Sequence, residues 1–167
     1  GNIIMKEKIV LIGGGGHCHR VIDVIEQTNK YEIIGIVDTK ENIGKKVLGY
    51  EIIGCDDDLE TIFKTCKNAL ITIGQIKTSD LRIKLFEKLK NIGFNLPVII
   101  SPIAYVSKHS SISEGTVIMH HALVNANVKI GKNCIINSKA LIEHDCTVGN
   151  NCHISTASVL NGGVIVK

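Results

Sequence analysis

The sequence predicts an α/β domain followed by a parallel β-helix. Two patterns carry this reading: strands alternating with helices up to about Ser101, and an aliphatic residue at every sixth position from Val106 onward. At 167 residues the chain is long enough to bury a real core, as one domain or as two small ones.

The elements of the first part follow in order. Residues 8–13 (KIVLIG) are a short apolar run ending in Gly13, Gly14, Gly15 and Gly16. HRVIDVIEQ then spaces Val21, Ile22 and Ile25 as a helix does. Residues 31–38 (YEIIGIVD) read as a second strand ending on Asp38. Residues 56–66 (DDDLETIFKTC) read as a helix whose first turn carries three acids, where the helix dipole favours them. Residues 68–74 (NALITIG) are a third strand, and SDLRIKLFEKLKNIG is a helix closed by Gly93. Residues 97–101 (PVIIS) read as the last strand of the sheet. This alternation implies a parallel sheet covered on both faces.

A glycine run between strand and helix lets backbone approach a phosphate at a helix N-terminus, with Asp38 placed to meet a ribose or base. The same run also serves as a plain tight turn. It departs from the GxGxxG pattern, and His17 stands at the helix start, which disfavours an NAD-dependent dehydrogenase.

From Val106 the six-residue period holds without exception. Ile112, Ile118, Val124, Ile130, Ile136, Ile142, Val148, Ile154, Leu160 and Val166 are all aliphatic. Two residues before each stands a small or medium residue such as Ala122, Cys134, Ala140, Cys146 or Cys152. Such a hexapeptide period signifies a parallel β-helix. It also assigns Cys134, Cys146 and Cys152 to the interior as small hydrophobes rather than zinc ligands or disulfide partners.

Glu143, His144, Asn137 and His153 fall outside both inward registers, so packing does not explain them. Polar decoration of turns is one reading. The other is chemical: a histidine held by a carboxylate can take a proton from an amine or hydroxyl near neutral pH. A second donor nearby can stabilise the oxyanion formed when an acyl group is attacked.

Composition limits the partners. Net charge is +3 with both signs scattered, which argues against nucleic acid or an anionic membrane surface as main partner. There is no Trp and there are few other aromatics on which bases would stack. Glycines and charges interrupt every apolar run short of a membrane span, and KIVLIGGGG turns at once into a polar helix pattern rather than a signal peptide. Six cysteines, one at a time and without a CxxC pair, suggest reduced thiols in a cytoplasmic protein.

Together the GGGGH turn, the short α/β fold after it, SPIAYVS and IGKNCIINSKALIEHDCTVGNNCHISTASVLNGGV resemble the sialic acid O-acetyltransferase and bacillosamine N-acetyltransferase family. These are bacterial sugar acyltransferases of glycan and capsule biosynthesis. The resemblance runs from about Lys8 to the end and is most specific at N-x5-EHD with the downstream HIS. It implies a Rossmann-like sugar-nucleotide-binding domain over residues 1–101 and a left-handed β-helix over residues 102–167, assembled as a homotrimer. It also implies acetyl transfer from acetyl-CoA to an amine or hydroxyl of a nucleotide-activated sugar, without a metal. His144 would be the general base and Glu143 its orienting carboxylate. His153 would contact the acetyl carbonyl, Asn137 would help place the acceptor, and Gly162 would lie by the pantetheine arm. Gly16 and His17 would lie by the sugar nucleotide, with Asp38 near its base.

Two features depart from the family pattern. Cys18, His19 and Arg20 follow the GGGGH turn where small residues or Lys are usual. The chain also stops at Lys167 inside a repeat, and since solenoids end in a closing cap, a C-terminal truncation is expected. Two rival readings stand beside the acetyltransferase. One is a zinc hydratase of the γ-carbonic anhydrase type recruiting His120, His121, His144 and His153. The other is a non-catalytic trimeric scaffold that binds sugar nucleotides.

Overall fold

The computed structural model describes residues 5–75 and 77–167, and Gly1–Ile4, given no role from the sequence, lie outside it. The chain divides into two compact units. One comprises the residues up to Gly74 together with Glu87–Leu96; the other comprises Gln75–Phe86 together with Pro97–Lys167.

The first unit runs β1 (Glu7–Ile12), α1 (Gly16–Thr28), β2 (Tyr31–Val37), β3 (Lys46–Val47), β4 (Tyr50–Gly54), α2 (Leu59–Phe63) and β5 (Asn68–Ile71). Its sheet has the order β3-β4-β2-β1-β5, parallel throughout except for β3 against β4. Ile9, Val10 and Leu11 on the interior strand β1 and Leu70 on the neighbouring β5 are fully buried, as are Val21, Ile22 and Ile25 on the inner face of α1. The turn after β1 needs glycine: Gly13 has φ +117°, and an added Cβ would run into Ile73.

One segment of this unit is added to the sequence reading and two readings require correction. Residues 46–54, not assigned from the sequence, form a hairpin whose two turn residues, Leu48 and Gly49, have φ 48° and 86°, the pattern of a type I′ turn. The helix expected over residues 56–66 is only a 3-10 turn, Asp56–Asp58, followed by the five-residue α2. Asp58 accepts from the Cys55 backbone N–H at 2.8 Å, which spends one of the expected N-terminal acids on a cap. Residues 97–101 do not extend this sheet. Ile99–Ile100 (β6) pairs instead with Val117–Ile118 (β9), one rung into the second unit. The reason is the period itself, since Ile100 stands six residues before Val106 and belongs to the same ladder.

In the second unit β6 is followed by Tyr105–Val106 (β7), Ser111–Ile112 (β8), β9, Leu123–Val124 (β10), Lys129–Ile130 (β11), Ile135–Ile136 (β12), Leu141–Ile142 (β13), Thr147–Val148 (β14), His153–Ile154 (β15), Val159–Leu160 (β16) and Ile165–Val166 (β17). They stack into three parallel four-stranded sheets, β6-β9-β12-β15, β7-β10-β13-β16 and β8-β11-β14-β17. Each coil takes eighteen residues, so Leu123 pairs with Leu141 and Lys129 with Thr147. The interior is the expected ladder: Val124, Ile136, Ile142, Cys134 and Cys146 are fully buried.

Corners recur with the same period. Gly115, His121, Asn127, Asn133, Lys139, Asp145, Asn151, Ala157 and Gly163 all have φ between 56° and 76°. Glycine and asparagine enter this left-handed region at least cost, which explains five of the nine. The segment ahead of the coils supplies helix α3 (Asp80–Ile92), whose Arg82 is 2% exposed and donates to the Asn133 carbonyl (3.1 Å) and Oδ1 (2.9 Å).

The three faces differ on the outside. Ile99, Val117 and Ile135 are buried, whereas Ser111, Lys129, Thr147 and Ile165 are exposed. On the remaining face Tyr105, Leu123, Leu141 and Val159 form one apolar column, and Tyr105 and Val159 are 60% and 58% exposed.

Candidate active site

The β13–β14 corner carries Glu143, His144 and Asp145. Ile142 and Cys146 on either side are buried in the coil, so these three polar residues make the bend outside it. Asp145 takes the left-handed conformation (φ 64°), and its Oδ2 accepts from His144 Nδ1–H at 2.8 Å. The neutral ring therefore keeps its lone pair on Nε2. One coil earlier, Asn127 donates to Asp145 Oδ1 at 2.7 Å, and Asn125 donates to Glu143 Oε2 at 3.2 Å. One coil later, Gly162 leaves room for the ring, since an added Cβ would stand 2.7 Å from His144 Cε1 and 2.8 Å from Nε2.

The electrostatics follow from these partners. The Asp145 hydrogen bond, then its charge, with Glu143 adding a smaller pull, holds His144 above the ordinary histidine value of 6.5. The Asn127 hydrogen bond, followed by that of His144, holds Asp145 below the usual carboxylate range. The pair lies at the surface, with side chains 62% and 54% exposed.

The carboxylate on the imidazole is thus Asp145, where Glu143 was expected. Glu143 points to Asn125 instead. Asp145, Asn125 and Asn127 were missed in the sequence, although the eighteen-residue step joins Asn125 to Glu143 and Asn127 to Asp145.

Asn137 and His153 meet at a different corner, between β12 and β13. The Asn137 amide donates to His153 Nε2 at 3.1 Å, and Asn137 is 4% exposed. Of the residues singled out in the repeats, the fold therefore brings Glu143, His144 and Gly162 to one corner and Asn137 and His153 to another. The two corners flank the face with the apolar column.

Gly16, His17 and Asp38 belong to the first unit. Gly16 opens α1, and a Cβ added at Gly15 or Gly16 would meet nothing within 4 Å. His17 is 9% exposed and its Nδ1 accepts from Arg20 at 3.4 Å. Asp38 follows β2, and its Oδ2 would lie 2.9 Å from a Cβ built on Gly14. The glycine turn, the helix start and the acid thus lie at the same end of the sheet.

His120 lies 2.6 Å from Ser101 Oγ through its Nδ1. Three of the four histidines that a zinc reading would recruit are thus tied to separate partners: His120 to Ser101, His144 to Asp145 and His153 to Asn137. Among the described residues, no three of His, Cys, Asp or Glu are grouped to hold a metal ion, and no helix is long and apolar enough to cross a membrane. All six cysteines are buried free thiols.

The family model of the PglD N-terminal domain matches residues 8–89, and that of the bacterial transferase hexapeptide repeats matches residues 109–144. Perosamine N-acetyltransferase from Caulobacter crescentus, solved with CoA and GDP-perosamine, is 34% identical, with 99% of this chain and 76% of that one covered at a TM-score of 0.87. Two further structures of that enzyme, with one histidine replaced by asparagine or alanine, contain the same two ligands. The acetyltransferase domain of PglB from Neisseria gonorrhoeae is 30% identical, with 94% of this chain and 75% of that one covered at a TM-score of 0.85. It is also known in complex with acetyl-coenzyme A. No curated protein sequence matches.

The chain belongs to the hexapeptide-repeat sugar acetyltransferases.

Its coils are therefore the left-handed β-helix of that family, and its reaction is acetyl transfer from acetyl-CoA to a sugar. In an acetyltransferase the β13–β14 corner has the features of an acid–base site. It holds an exposed imidazole with one nitrogen occupied by a carboxylate and the other bearing a lone pair, and a glycine leaves space beside that second nitrogen.

Proposed function

We propose that this acetyltransferase acylates the amine of a nucleotide-activated amino sugar, with His144 as general base. The Asp145–His144 pair beneath Gly162 is the observation that carries the reading. Amine rather than hydroxyl is favoured because the relatives solved with sugar nucleotide are N-acetyltransferases. His144 Nε2 takes a proton from the attacking nitrogen, and Asp145 stabilises the imidazolium that forms. Acetyl-CoA supplies a thioester carbonyl open to attack. His153, steadied by Asn137, would contact the acetyl oxygen, and Gly162 would lie beside the pantetheine arm. The proton held on His144 then serves the departing thiolate.

Gly16, His17 and Asp38 would receive the sugar nucleotide, Asp38 toward its base. In support, the glycines at the start of α1 are exposed and uncrowded, so phosphate oxygens can approach the backbone.

The assembly that fits this reading is a homotrimer in the cytoplasm. Of three outer faces, one is buried, one is largely polar, and one exposes the Tyr105–Leu123–Leu141–Val159 column, a surface suited to another copy of the chain. Packing there would bring the His144 corner of one protomer toward the Asn137–His153 corner of the next. The direct test is a screen of amino-sugar nucleotides for acetyl-CoA-dependent thiol release. Release of CoA thiol with one acceptor, lost in His144→Ala, is expected. Release unaffected by that substitution overturns the assignment.

A further inference from the structure

Asn127 stands one coil before Asp145 and reaches it at 2.7 Å, while Asp145 reaches His144 at 2.8 Å. The three side chains form one line: the amide donates to Oδ1, and Oδ2 receives the imidazole N–H. From this geometry we infer that Asn127 is a positioning residue that fixes the Asp145 carboxylate and, through it, the orientation and proton affinity of His144. The inference rests on the proposed role of His144 only for its consequence on rate.

Ladder bonding at corners is not peculiar to this site, since Asn133 donates to Asn151 at 2.8 Å. That rung joins two neutral amides. At Asn127 the acceptor is a carboxylate that itself holds a titratable ring, so the rung carries charge to a second group. Asp145 is 54% exposed, and the Asn127 amide on Oδ1 is the partner that anchors its carboxylate beside the imidazole it holds through Oδ2. The charged groups that act on His144 are Asp145 and Glu143, and Glu143 is held separately by Asn125. Its other coil neighbours, Ala126 and Gly162, carry no charge.

Asn127 also supplies a left-handed corner (φ 59°), so the test must separate backbone from side chain. Glycine and aspartate both tolerate that corner. Asn127→Gly deletes the amide and keeps the turn. Asn127→Asp replaces the donor with a second negative charge beside Asp145. Titrating the His144 ring by NMR in the substrate-free protein, its signal identified by its loss in His144→Gln, reads the coupling directly. The His144 midpoint is expected to fall in Asn127→Gly and to rise in Asn127→Asp. With acceptor and acetyl-CoA, the acid limb of kcat/KM should move in the same two directions. In Asn127→Gly kcat should drop about three- to tenfold, less than the full scale of a charge-assisted hydrogen bond because the His144–Asp145 contact itself is not deleted, with KM little changed.

A merely structural role leaves the His144 midpoint of Asn127→Gly in place, whereas the added charge of Asn127→Asp raises the midpoint in either case. An unchanged or raised His144 titration in Asn127→Gly, with the fold retained, overturns the inference. Opposite shifts by NMR, together with full activity in His144→Ala, would uphold the coupling and remove only the assignment of His144 as the base.

Discussion

Gly162 lies one coil beyond His144, and its missing side chain is part of the space the imidazole needs: a Cβ there would stand 2.7 Å from Cε1. The backbone at 162 is not left-handed, so alanine is tolerated by the chain itself. Gly162→Ala should therefore fold normally while pushing the ring aside. We expect a loss of about tenfold or more in kcat/KM, because small displacements of a catalytic group are costly, with Tm unchanged within about 2 °C. Wild-type kinetics in this variant would show that the ring is not used in the orientation described.

His144→Ala should lower kcat by about two to four orders of magnitude, the usual contribution of a positioned acid–base group. The aliphatic ladder is untouched, so thermal stability should barely move. In the parent enzyme the base works when neutral, and its partners raise its pKa above the ordinary histidine value of 6.5. The rate should therefore rise with pH, with the acid limb of kcat/KM centred above that of an ordinary histidine. A limb below it would contradict the Asp145 pairing.

Two carboxylates flank His144, and they should not be equivalent. Asp145→Asn keeps a residue suited to the left-handed corner and removes the charge on Nδ1–H. It should cost at least about tenfold in kcat and move the acid limb to lower pH. Glu143→Gln leaves that hydrogen bond in place and should cost less than about threefold. Comparing the two pH–rate profiles decides between them, and a larger loss in Glu143→Gln would restore the carboxylate first expected from the sequence.

The coils were legible because a period of six leaves little ambiguity once every sixth residue is aliphatic. Following it one step back to Ile100 would also have placed residues 97–101 correctly. The hairpin was legible too: YEIIG occurs at residues 31–35 and again at 50–54, and both copies are strands. At the site, His144, Asn137 and His153 were readable as polar residues outside the inward registers. The Asp145 pairing was not. Adjacent residues give no sign of which carboxylate faces a ring; the left-handed turn at Asp145 decides that, and aspartate is only one of several residues found at such corners. The amides of Asn125 and Asn127 become visible only when the sequence is wrapped at eighteen residues per coil.

The buried registers should separate stability from chemistry. Ile142 is fully buried next to His144. Ile142→Asp places a carboxylate without a partner in the coil interior and should cost about 4 kcal/mol or more, enough to unfold the chain. Cys146 is also buried, but its thiol only fills space and donates weakly to the Asn161 carbonyl at 3.1 Å. Cys146→Ala should cost about 1–2 kcal/mol, with activity retained below the new melting temperature. Thermal denaturation followed by circular dichroism measures both, and a stable Ile142→Asp protein would mean that the register is misassigned.

The placement of His144 and His153 at the two edges of one face leads to a sharper test of assembly. If each site takes His144 from one protomer and the Asn137–His153 pair from its neighbour, His144→Ala and His153→Ala chains should each be inactive alone. Mixed in equal amounts and allowed to reassemble, they should recover activity. A site is intact only when a protomer retaining His144 sits beside one retaining His153 in the required order, which random mixing provides for about one site in four. Recovery of about a quarter of parental activity is expected, and it should vanish if Leu141→Lys is added to both chains to charge the apolar column. Sites confined to single protomers would give no recovery at any mixing ratio, and that result would exclude the shared arrangement.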